Sequence, residues 1–507
     1  MSIPKKISLK RVFELVFVCV IVACLLTAAL VKSGYVGDLT EQWYTPSQEA
    51  SYIIGQYNST FYYLQNHTGF GYEAYDGYEY ESSNASAVFQ EAREGLGTLA
   101  NGAPGTIQVK YATYNLDSPI IIGHLTHLIG EASTVLSMTA NANAIEISID
   151  TDGVEGCDWT IKNFEIRMNS LNGNGIYSSN ASRKDGKMST PRIENVRVWN
   201  VSAHYAGIKL SNFFASVISG GSIYTSGYGI QLILDNNLLA GNSLIQQVEI
   251  YPSASGTIGF YVEASPGKYY NLMVIDRMQV GGGDNIYTNT TGVFLNGTKW
   301  CVFNGLNLEG NAVNLYMNNS RSNTFNNMFA DSNKTSTDGF TPDDGILRSG
   351  NVVLEGSSIN NQFIGGWFDC GATQYVFNDT STSSSGRDWN LLVGTMLRSE
   401  NFTFLSRTKC HDVQIYSGAL SDTRVTSYGT QTTVINGQDI AHYLITTPTH
   451  IDITQQTIVF ESVTVIVGWD VAASNSTHWR VRAYFTNGTA VVDSGIAIYW
   501  VASVYER

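Results

Sequence analysis

Short runs of apolar residues alternate with polar residues and turn residues along most of the chain. Within the run TIQVKYATYNL, Ile107 and Val109 are separated by polar positions, which is the period of a strand with one buried face. The run Ile120–Ile122 is continuously apolar, as in a strand packed on both sides. We predict that residues 106–136 form the first complete coil of a right-handed parallel β-helix.

The same pattern recurs downstream as a two-part unit. Each unit has a longer strand of the form apolar-x-polar-apolar-x-apolar and a short strand that usually begins with glycine. The longer strands are Trp159–Met168, Arg192–Asn200, Leu244–Tyr251, Val274–Val280, Cys301–Gly310 and Asn323–Ala330. The short strands begin at Gly175, Gly207, Gly229, Gly259, Gly292 and Ala312. Successive short strands begin roughly 20 to 33 residues apart, which is within the range of solenoid repeats. Weaker repeats continue to about Ser417.

Different patterns flank the repeats. Residues 51–80 are rich in tyrosine and turn residues and predict two or three strands. After Asn84, the apolar residues Val88, Phe89 and Ala92 fall on one face of a predicted helix that would cover the open end of the first coil. After Asp422 the residues alternate with period 2 and without the glycine-initiated unit, which predicts an antiparallel β-sandwich.

The amino terminus has its own signature. Lys5, Lys6, Lys10 and Arg11 precede an apolar stretch over 12–31, long enough to cross a bilayer. We favour an uncleaved signal anchor, a single transmembrane helix with its basic end inside; a cleaved signal peptide is the alternative. Either reading places the remainder outside the cell, on the extracellular face of the membrane or secreted.

The predicted fold class is therefore all-β, with four parts along the chain. These are a membrane segment over 1–34, strands and a capping helix over 35–104, a right-handed parallel β-helix over 105–422, and a small antiparallel β-sandwich over 423–507. Export agrees with N-x-S/T sequons spread along the chain, which predict a glycoprotein. The predicted acceptors are Asn58, Asn66, Asn84, Asn180, Asn200, Asn289, Asn296, Asn318, Asn333, Asn378, Asn401, Asn475 and Asn487.

Composition and charge narrow the choice of partner. The 507 residues include 48 glycines and 9 prolines, 14% are charged, and the net charge is −14. Such a surface repels phosphate backbones and disfavours nucleic acid as a ligand. It also disfavours polyanionic glycans unless a local basic strip or bound cations intervene, and neutral glycans stay possible ligands.

The four cysteines beyond the first segment are Cys157, Cys301, Cys370 and Cys410, and they lie far apart in the sequence. We favour buried thiols over disulfides.

The segments AVFQEAREGL, GTIQVKYATYNLDSPIII and LTHLIGEASTVL within Ala85–Val135 resemble the amino-terminal part of the pectate lyase superfamily of β-helix proteins. The resemblance implies a fold more than a reaction. The tail, through Ala441–Leu444, Thr447–Thr449 and Trp500–Ala502, more loosely resembles a β-sandwich module of phage-tail and surface β-helix proteins, although Tyr443 stands where glycine is usual. That resemblance implies trimerisation or glycan binding, and a homotrimer stays open.

Catalytic signatures of related enzymes are not evident. The N-T-D, D-D, G-H-G and R-I-K segments that the polygalacturonase type of β-helix hydrolase uses do not appear in order, and Asp343 and Asp344 lie in a predicted loop. Asp150, Asp152 and Glu155 have a spacing that would suit calcium, with an ordinary acidic turn as the favoured reading. No other cofactor is predicted.

Stacking of the coils brings together a candidate glycan-binding face. Side chains two apart on a strand share a face, so in-register coils would form two outward columns. The first column is Glu165, Arg197, Glu249, Gln279 and Asn307, and the second is Arg167, Trp199, Tyr251 and Glu309. Carboxylates, an arginine and aromatic rings suit a glycan-binding groove, and paired carboxylates suit glycosidase chemistry. The alternative is an ordinary solvent-exposed sheet face that binds no ligand and carries weak Glu–Arg pairs.

These patterns predict an exported, glycosylated, surface-displayed β-helix protein that binds glycans or mediates adhesion. A polysaccharide lyase or glycoside hydrolase with a carboxylate site on the same face is the first alternative. A structural component of a cell envelope or virion, which needs no site, is the second.

Overall fold

The structure is a computed structural model. It describes residues 51–415 with gaps at 59–60, 67–79, 98–104, 124–125, 148–157, 180–190, 235–240, 282–286, 288, 333–338, 340, 342–345, 371–374, 383–388, 399–401, 405–407 and 412. Beyond residue 415 it describes the strands within 425–503.

The described chain contains one helix and many strands. Helix α1 spans Ala85–Gly97. Strands β1 to β9 are Tyr52–Asn58, Phe61–Asn66, Tyr80–Ser82, Gly105–Val109, Thr113–Leu116, Ile120–Ile122, Thr126–Met138, Ile145–Ile147 and Thr160–Arg167. Strands β10 to β18 are Ile176–Ser178, Arg192–Glu194, Arg197–Val201, Ala206–Ser211, Val217–Ser219, Ser222–Thr225, Tyr228–Leu234, Leu244–Gln246 and Glu249–Pro252. Strands β19 to β27 are Ile258–Ala264, Tyr270–Asn271, Val274–Asp276, Gln279–Gly281, Thr291–Asn296, Thr298–Lys299, Val302–Asn304, Asn307–Glu309 and Val313–Asn318. Strands β28 to β36 are Thr324–Asn326, Phe329–Ser332, Val352–Glu355, Gln362–Ile364, Trp367–Cys370, Phe377–Asp379, Asn390–Val393, Met396–Arg398 and Phe402–Phe404. Strands β37 to β45 are Thr408–His411, Gln414–Ile415, Val425–Gln431, Asp439–Ala441, His450–Ile453, Thr457–Phe460, Val463–Asp470, His478–Phe485 and Ile498–Ser503.

Most strands belong to two parallel sheets that form a β-helix. A bent sheet has two limbs: the first limb contains β11, β14, β17, β21, β25, β28, β31, β34 and β37, and the second contains β12, β15, β18, β22, β26, β29, β32, β35 and β38. The opposite sheet has 11 strands, in the order β36, β33, β30, β27, β23, β19, β16, β13, β10, β8 and β6. Each coil therefore contributes one strand to each limb and one to the opposite sheet.

The bend between the two limbs is a column of left-handed residues. One or two residues per coil take a positive φ there: Asn163, Asn195, Gly220 with Gly221, Gln247, Arg277, Gly305, Asn327, Gly365 with Gly366, and Gly394. Seven of these residues, from Asn195 to Gly365, donate their backbone N–H to a carbonyl oxygen of the next coil; for example, the Gln247 N–H donates to the carbonyl oxygen of Asp276 at 2.9 Å. Asparagine and glycine recur because they tolerate this conformation best. The bend keeps both limbs in register from coil to coil.

The interior consists of side chains that stack between equivalent positions of neighbouring coils. The first limb contributes Ile161, Ile193, Ile218, Ile245 and Ile275, followed by stacked phenylalanines, all at most 2% exposed. The ring centroids of Phe303 and Phe325 are 4.5 Å apart, and those of Phe325 and Phe363 are 4.8 Å apart. Burial of each such side chain stabilises the fold by about 1.5–3 kcal/mol.

Buried asparagines form a second kind of internal column. Asn311, Asn314 and Asn351 lie fully buried at the turn between the second limb and the opposite sheet. The Asn314 Nδ2 donates to the Asp331 carbonyl oxygen at 2.9 Å and to the Asn351 Oδ1 at 2.7 Å. These bonds satisfy turn carbonyls that water cannot reach, as buried polar backbone requires.

The amino-terminal elements pack on the first coil. Strand β1 pairs antiparallel with β2 and parallel with β4. The Asn84 Oδ1 accepts the backbone N–H of Ser86 at 2.9 Å, which caps α1. The helix buries Val88, Phe89 and Ala92 as its apolar pattern predicted.

Beyond residue 415 the described strands pair antiparallel. One sheet has the order β39, β45, β41, and another has the order β40, β44, β43, β42. The change of pattern after Asp422 thus corresponds to a change from parallel to antiparallel pairing.

The described strands differ from the sequence pattern at two points. Asn314, not Ala312, stands opposite Gly292, because Val293 pairs with Leu315; the assignment of Ala312 was wrong. The pattern also missed a coil, that of β14 and β15. Among the described residues no helix is long and apolar enough to span a membrane, and the anchor predicted over 1–34 lies outside those residues.

Candidate functional site

The two predicted outward columns exist in the register of the second limb. Arg197 lies opposite Glu165 and Trp199 lies opposite Arg167. Further along, Glu249 lies opposite Gln279. Asn307 then follows Gln279, and Glu309 follows Gly281. The columns come together because interior branched residues hold the alternate positions of each strand inward.

Three aromatic rings stack within the second column. The centroids of Trp199 and Tyr224 are 3.9 Å apart with planes 5° apart, and those of Tyr224 and Tyr251 are 4.6 Å apart with planes 17° apart. We call Trp199, Tyr224 and Tyr251 the aromatic stack. Face-to-face packing within the stack covers both faces of the Tyr224 ring. A ligand can therefore meet a ring face at the ends of the stack.

A carboxylate orients one end of the stack, and an ion pair lies beside the other end. The Tyr251 hydroxyl donates to the Glu249 Oε2 at 2.8 Å. Burial, and then the neighbouring Glu249 carboxylate, raise the pKa of Tyr251 to about 12. At the other end, Arg167 forms an ion pair with Glu165 at 2.6 Å. The Tyr251 ring is thus held as a neutral donor in a fixed orientation.

Gly281 leaves a gap in the column next to Tyr251. The register places Gly281 opposite Tyr251 and Glu309 opposite Gly281. Gly281 has a φ of 105°, and a Cβ built on it would lie 1.8 Å from the Glu309 carbonyl oxygen. A side chain therefore does not fit at this position. Two strand spacings, about 9–10 Å, separate the Tyr251 and Glu309 positions. Gly281 itself is buried, and we call this side-chain-free position of the column, between Tyr251 and Glu309, the Gly281 slot.

Three carboxylates follow one another beyond the Gly281 slot. Glu309 lies opposite Asp331, and Asp331 lies opposite Asp369. Burial, and then the carboxylates of Asp369 and Glu309, raise the pKa of Asp331. Arg398 pairs with Asp369 at 3.1 Å. We call Glu309, Asp331 and Asp369 the acidic trio; ionised carboxylates can accept hydrogen bonds from hydroxyls, and the raised pKa of Asp331 favours its protonated form.

Aromatic side chains in the first column lie beside the acidic trio. Phe329 lies opposite Asn307, and Trp367 lies opposite Phe329. The ring centroids of Phe329 and Trp367 are 6.5 Å apart. The Arg398 guanidinium carbon lies 6.0 Å from the Trp367 ring centroid. The second limb therefore combines rings, acids and an arginine on one surface.

Sequence reasoning missed Tyr224, Asp331 and Asp369. Tyr224 belongs to the missed coil VISGGSIYT, which has the same alternation around two bend glycines. The segments FADS and WFDC place an aspartate two residues after an aromatic residue, so aligning them with NLEG would have revealed the acidic trio.

The residues predicted as a calcium site or a loop pair lie outside the described residues: Asp150, Asp152, Glu155, Asp343 and Asp344. Within the described ranges no group of three or more His, Cys, Asp or Glu side chains is placed to hold a metal ion.

Comparison with known proteins yields fold-level likeness. No protein-family model and no curated protein matches the chain. Among solved structures, the chain is similar to the A-module of a mannuronan C-5 epimerase from Azotobacter vinelandii, with 12% identity, a TM-score of 0.46, and coverage of 64% of this chain and 95% of that one. It is similar to the tailspike of Acinetobacter baumannii bacteriophage AP22, solved with capsular saccharide, with 10% identity, a TM-score of 0.37, and coverage of 84% and 94%. It is also similar to a surface adhesin of Streptococcus pneumoniae, with 11% identity, a TM-score of 0.31, and coverage of 68% and 94%.

The expected parallel β-helix is confirmed by the sheets of this chain itself. In this chain the two limbs and the opposite sheet are parallel throughout their described strands. Fold alone assigns no reaction, so the function has to be argued from the second limb itself.

Proposed function

We propose that this protein binds a saccharide in the Gly281 slot, with the Tyr251 ring on one side and the acidic trio on the other. The observation that carries the proposal is the slot itself. In this register, the residue of the adjacent strand beside the far face of Tyr251 is Gly281, which has no side chain. A larger residue does not fit there, because its Cβ would clash with the Glu309 backbone. Sites for small polar ligands combine an apolar surface with a few fixed polar groups, and the slot has both.

The aromatic stack and the carboxylates have separate roles in this proposal. Tyr224 and Trp199 support the Tyr251 ring from behind, and Glu249 orients its hydroxyl. A sugar ring packs its C–H face on Tyr251. Its hydroxyls donate to Glu309, because an ionised carboxylate is a strong acceptor.

The test is binding of oligosaccharides to the full-length protein. A glycan array identifies a ligand, and titration calorimetry measures its dissociation constant for the wild type, Tyr251→Ala and Tyr251→Phe. Loss of a central aromatic contact costs about 2 kcal/mol or more, so Tyr251→Ala should weaken binding roughly thirtyfold. Tyr251→Phe keeps the ring and should retain most of the affinity.

Tyr111 provides a matched control, since its side chain is 68% exposed and lies far along the β-helix from the slot. Tyr111→Ala should leave binding unchanged. Unchanged binding in Tyr251→Ala, or an equal loss in Tyr111→Ala, would remove the slot from consideration.

The setting of this function is also part of the proposal. The basic and apolar segment over 1–34 would hold the protein at the outer face of the membrane, and the sequons would carry N-linked glycans. The antiparallel strands beyond residue 415 would join three copies. Cell fractionation, a mass shift on enzymatic deglycosylation, and light scattering of the purified protein test these three statements separately. A soluble, unmodified monomer would reject all of them and leave the slot untouched.

The acidic trio favours glycoside cleavage as a second candidate function. Carboxylates about 5 Å apart suit a retaining glycosidase, and neighbouring strands have this spacing. The raised pKa of Asp331 suits a general acid. Release of new reducing ends from the identified ligand, lost in Asp331→Asn with binding intact, would establish hydrolysis. Continued release by that variant would exclude this assignment.

A further inference from the structure

A second surface lies at the turn between the opposite sheet and the first limb. Strand β20 pairs with β24, which aligns Asn271 with Lys299, and an isolated bridge aligns Lys299 with Arg321. Tyr269 and Trp300 flank these residues in sequence. We call Tyr269, Lys299, Trp300 and Arg321 the cationic edge. It precedes the first limb in each coil, whereas the Gly281 slot lies on the second limb.

The two cations of this edge contact aromatic rings and no carboxylate among the described residues. The Arg321 guanidinium carbon lies 4.6 Å from the centroid of the Tyr269 ring. Lys299 Nζ lies 3.6 Å from a ring centroid of Trp300 and 5.9 Å from that of Tyr269. Elsewhere in the described chain, arginines such as Arg167, which neighbours Glu165, form ion pairs. Two adjacent cations without acids are unusual on a protein with a net charge of −14.

Arg321 also has an unused hydrogen-bond donor. Its Nε is buried and has no hydrogen-bond partner among the described residues. A buried donor of a charged group is costly when it is left unpaired. The guanidinium fork matches a carboxylate, which accepts two parallel N–H bonds. The buried Nε itself is closed to solvent, so an anionic oxygen from a ligand would pair with the terminal nitrogens of the guanidinium.

Trp300 presents an apolar surface beside the cations. Its side chain is 51% exposed, and its backbone is left-handed with a φ of 56°. Leu272, the equivalent residue of the preceding coil, is 52% exposed with a φ of 56°. Bulky residues in this conformation are rare and cost about 1–3 kcal/mol each. The fold thus holds an indole in solvent at an energetic cost that packing does not explain.

A cavity adjoins the cationic edge. It has a volume of about 580 Å³, within the usual range of ligand sites, and it shares Tyr269 with the edge. Its lining is more polar than apolar and includes Lys268, Asn319, Ser357 and one carboxylate, Glu263, which accepts the Tyr261 hydroxyl at 2.7 Å. Cationic donors, an exposed indole and a polar cavity therefore meet at one place.

From this arrangement we infer that the cationic edge binds a saccharide that carries a carboxylate. The carboxylate pairs with Arg321 and Lys299, the sugar ring lies against Trp300 and Tyr269, and the adjoining sugar hydroxyls enter the cavity. The overall negative charge disfavours anionic glycans, and the local pair of cations removes this obstacle because screening confines surface charge effects to about 10 Å. The site does not depend on the Gly281 slot.

The experiment compares an oligosaccharide of uronic acids with the same oligosaccharide after reduction of its carboxyl groups. The full-length protein is produced without N-glycosylation, since Asn296, a predicted acceptor, also lines the cavity. Calorimetry at about 0.1 M salt, where the 10 Å screening length applies, should show binding of the acidic ligand and at least tenfold weaker binding of the reduced one. Arg321→Gln and Lys299→Gln should each weaken acidic-ligand binding about tenfold or more, the size expected for a charge-assisted hydrogen bond.

Controls separate this site from the rest of the surface. Arg398→Gln removes an arginine that already pairs with Asp369, and it should leave uronate binding unchanged. Tyr251→Ala should also leave it unchanged, so failure of the Gly281 slot and failure of this site are distinguishable. If Arg321→Gln does not fold, judged by its melting curve, the Lys299→Gln variant, at a partly exposed position, carries the test alone.

Four results would overturn the inference. They are equal affinity for the reduced ligand, unchanged affinity in the folded cation variants, a loss in Arg398→Gln as large as that in Arg321→Gln, and stronger binding of a sulfated oligosaccharide at the same residues. The last result would assign the edge to sulfate rather than to carboxylate.

Discussion

Replacement of Asn351 by alanine should destabilise the coils that carry the acidic trio. Its Nδ2 donates to the carbonyl oxygens of Ala330 at 2.8 Å and Asp369 at 2.7 Å, and its Oδ1 accepts from Asn314 at 2.7 Å. The side chain is fully buried. Each hydrogen bond contributes about 1 kcal/mol net, so loss of three predicts a decrease of about 3 kcal/mol in the free energy of unfolding. The carbonyl oxygens left without a donor would add to this value.

Urea unfolding followed by tryptophan fluorescence measures this change. The comparison requires that the slope of the free energy of unfolding against urea concentration is the same in wild type and variant. Hydrogen exchange then shows whether the loss is confined to the coils around Asp331 and Asp369, as expected when each coil contacts only its neighbours. Asn326→Ala is the matched control, since Asn326 bonds to Asn304 on the partly exposed outside of the first limb at 2.9 Å. It should cost less than about 1 kcal/mol. A loss below about 1 kcal/mol in Asn351→Ala, or equal losses in both variants, would refute the role of the inner asparagines.

Three further predictions concern ionisable side chains. The folded-state pKa of Tyr251 is raised to about 12, above its unfolded value near 10, so its contribution to stability is complete below pH 10 and is lost as the pH rises towards 12. The tyrosinate difference spectrum between wild type and Tyr251→Phe should therefore appear near pH 12, and its appearance at pH 10 would contradict the burial of this hydroxyl. Burial raises the pKa of Cys301 to about 12, so iodoacetamide at pH 8 should label the partly exposed Cys370 in the folded protein and spare Cys301, as judged by peptide mass spectrometry. Burial lowers the pKa of His127 below 6.5, opposed by Asp158, so stability should fall as the pH drops through 6.5; a His127→Gln variant with the same pH dependence would count against this assignment.

The sequence was sufficient to predict the outward columns because their register follows from the interior. The strand pattern around Glu165, Arg197 and Glu249 aligns when Ile166, Val198 and Ile250 are placed inside, and the structure has this register. A shift by one residue would turn isoleucines outward, so the alternation admits one alignment.

The alternation of apolar and polar residues did not predict other parts of the site. The coil with Tyr224 is short and has Gly220 and Gly221 at its bend, so it did not match a pattern built from longer strands. Asn314 and Asn351 are polar residues at interior positions, and their burial is stable through bonds to other coils, which a single-strand pattern does not contain. The Gly281 slot depends on the lack of a side chain at Gly281. The sequence shows the glycine, but only the register of neighbouring coils shows that it lies between Tyr251 and Glu309.

Folding and ligand binding depend on different residues of the same strands, and Gly281 is where the two requirements meet. Substitution of Tyr251 should change binding with little effect on stability, since one aromatic pair contributes about 1 kcal/mol. Gly281→Ala should instead affect both, because its Cβ would lie 1.8 Å from the Glu309 carbonyl oxygen at a φ of 105° that alanine rarely adopts.

The strand that carries Glu309 would have to move, so we expect a loss of about 2 kcal/mol or more in the free energy of unfolding together with loss of saccharide binding. Gly256→Ala is the matched control: Gly256 also has a positive φ, of 83°, but a Cβ there meets nothing within 4 Å. It should show the backbone cost alone, with binding intact. If Gly281→Ala were as stable as the control and still bound the ligand, the slot would not be maintained by this glycine, and the geometric basis of the proposed site would fail.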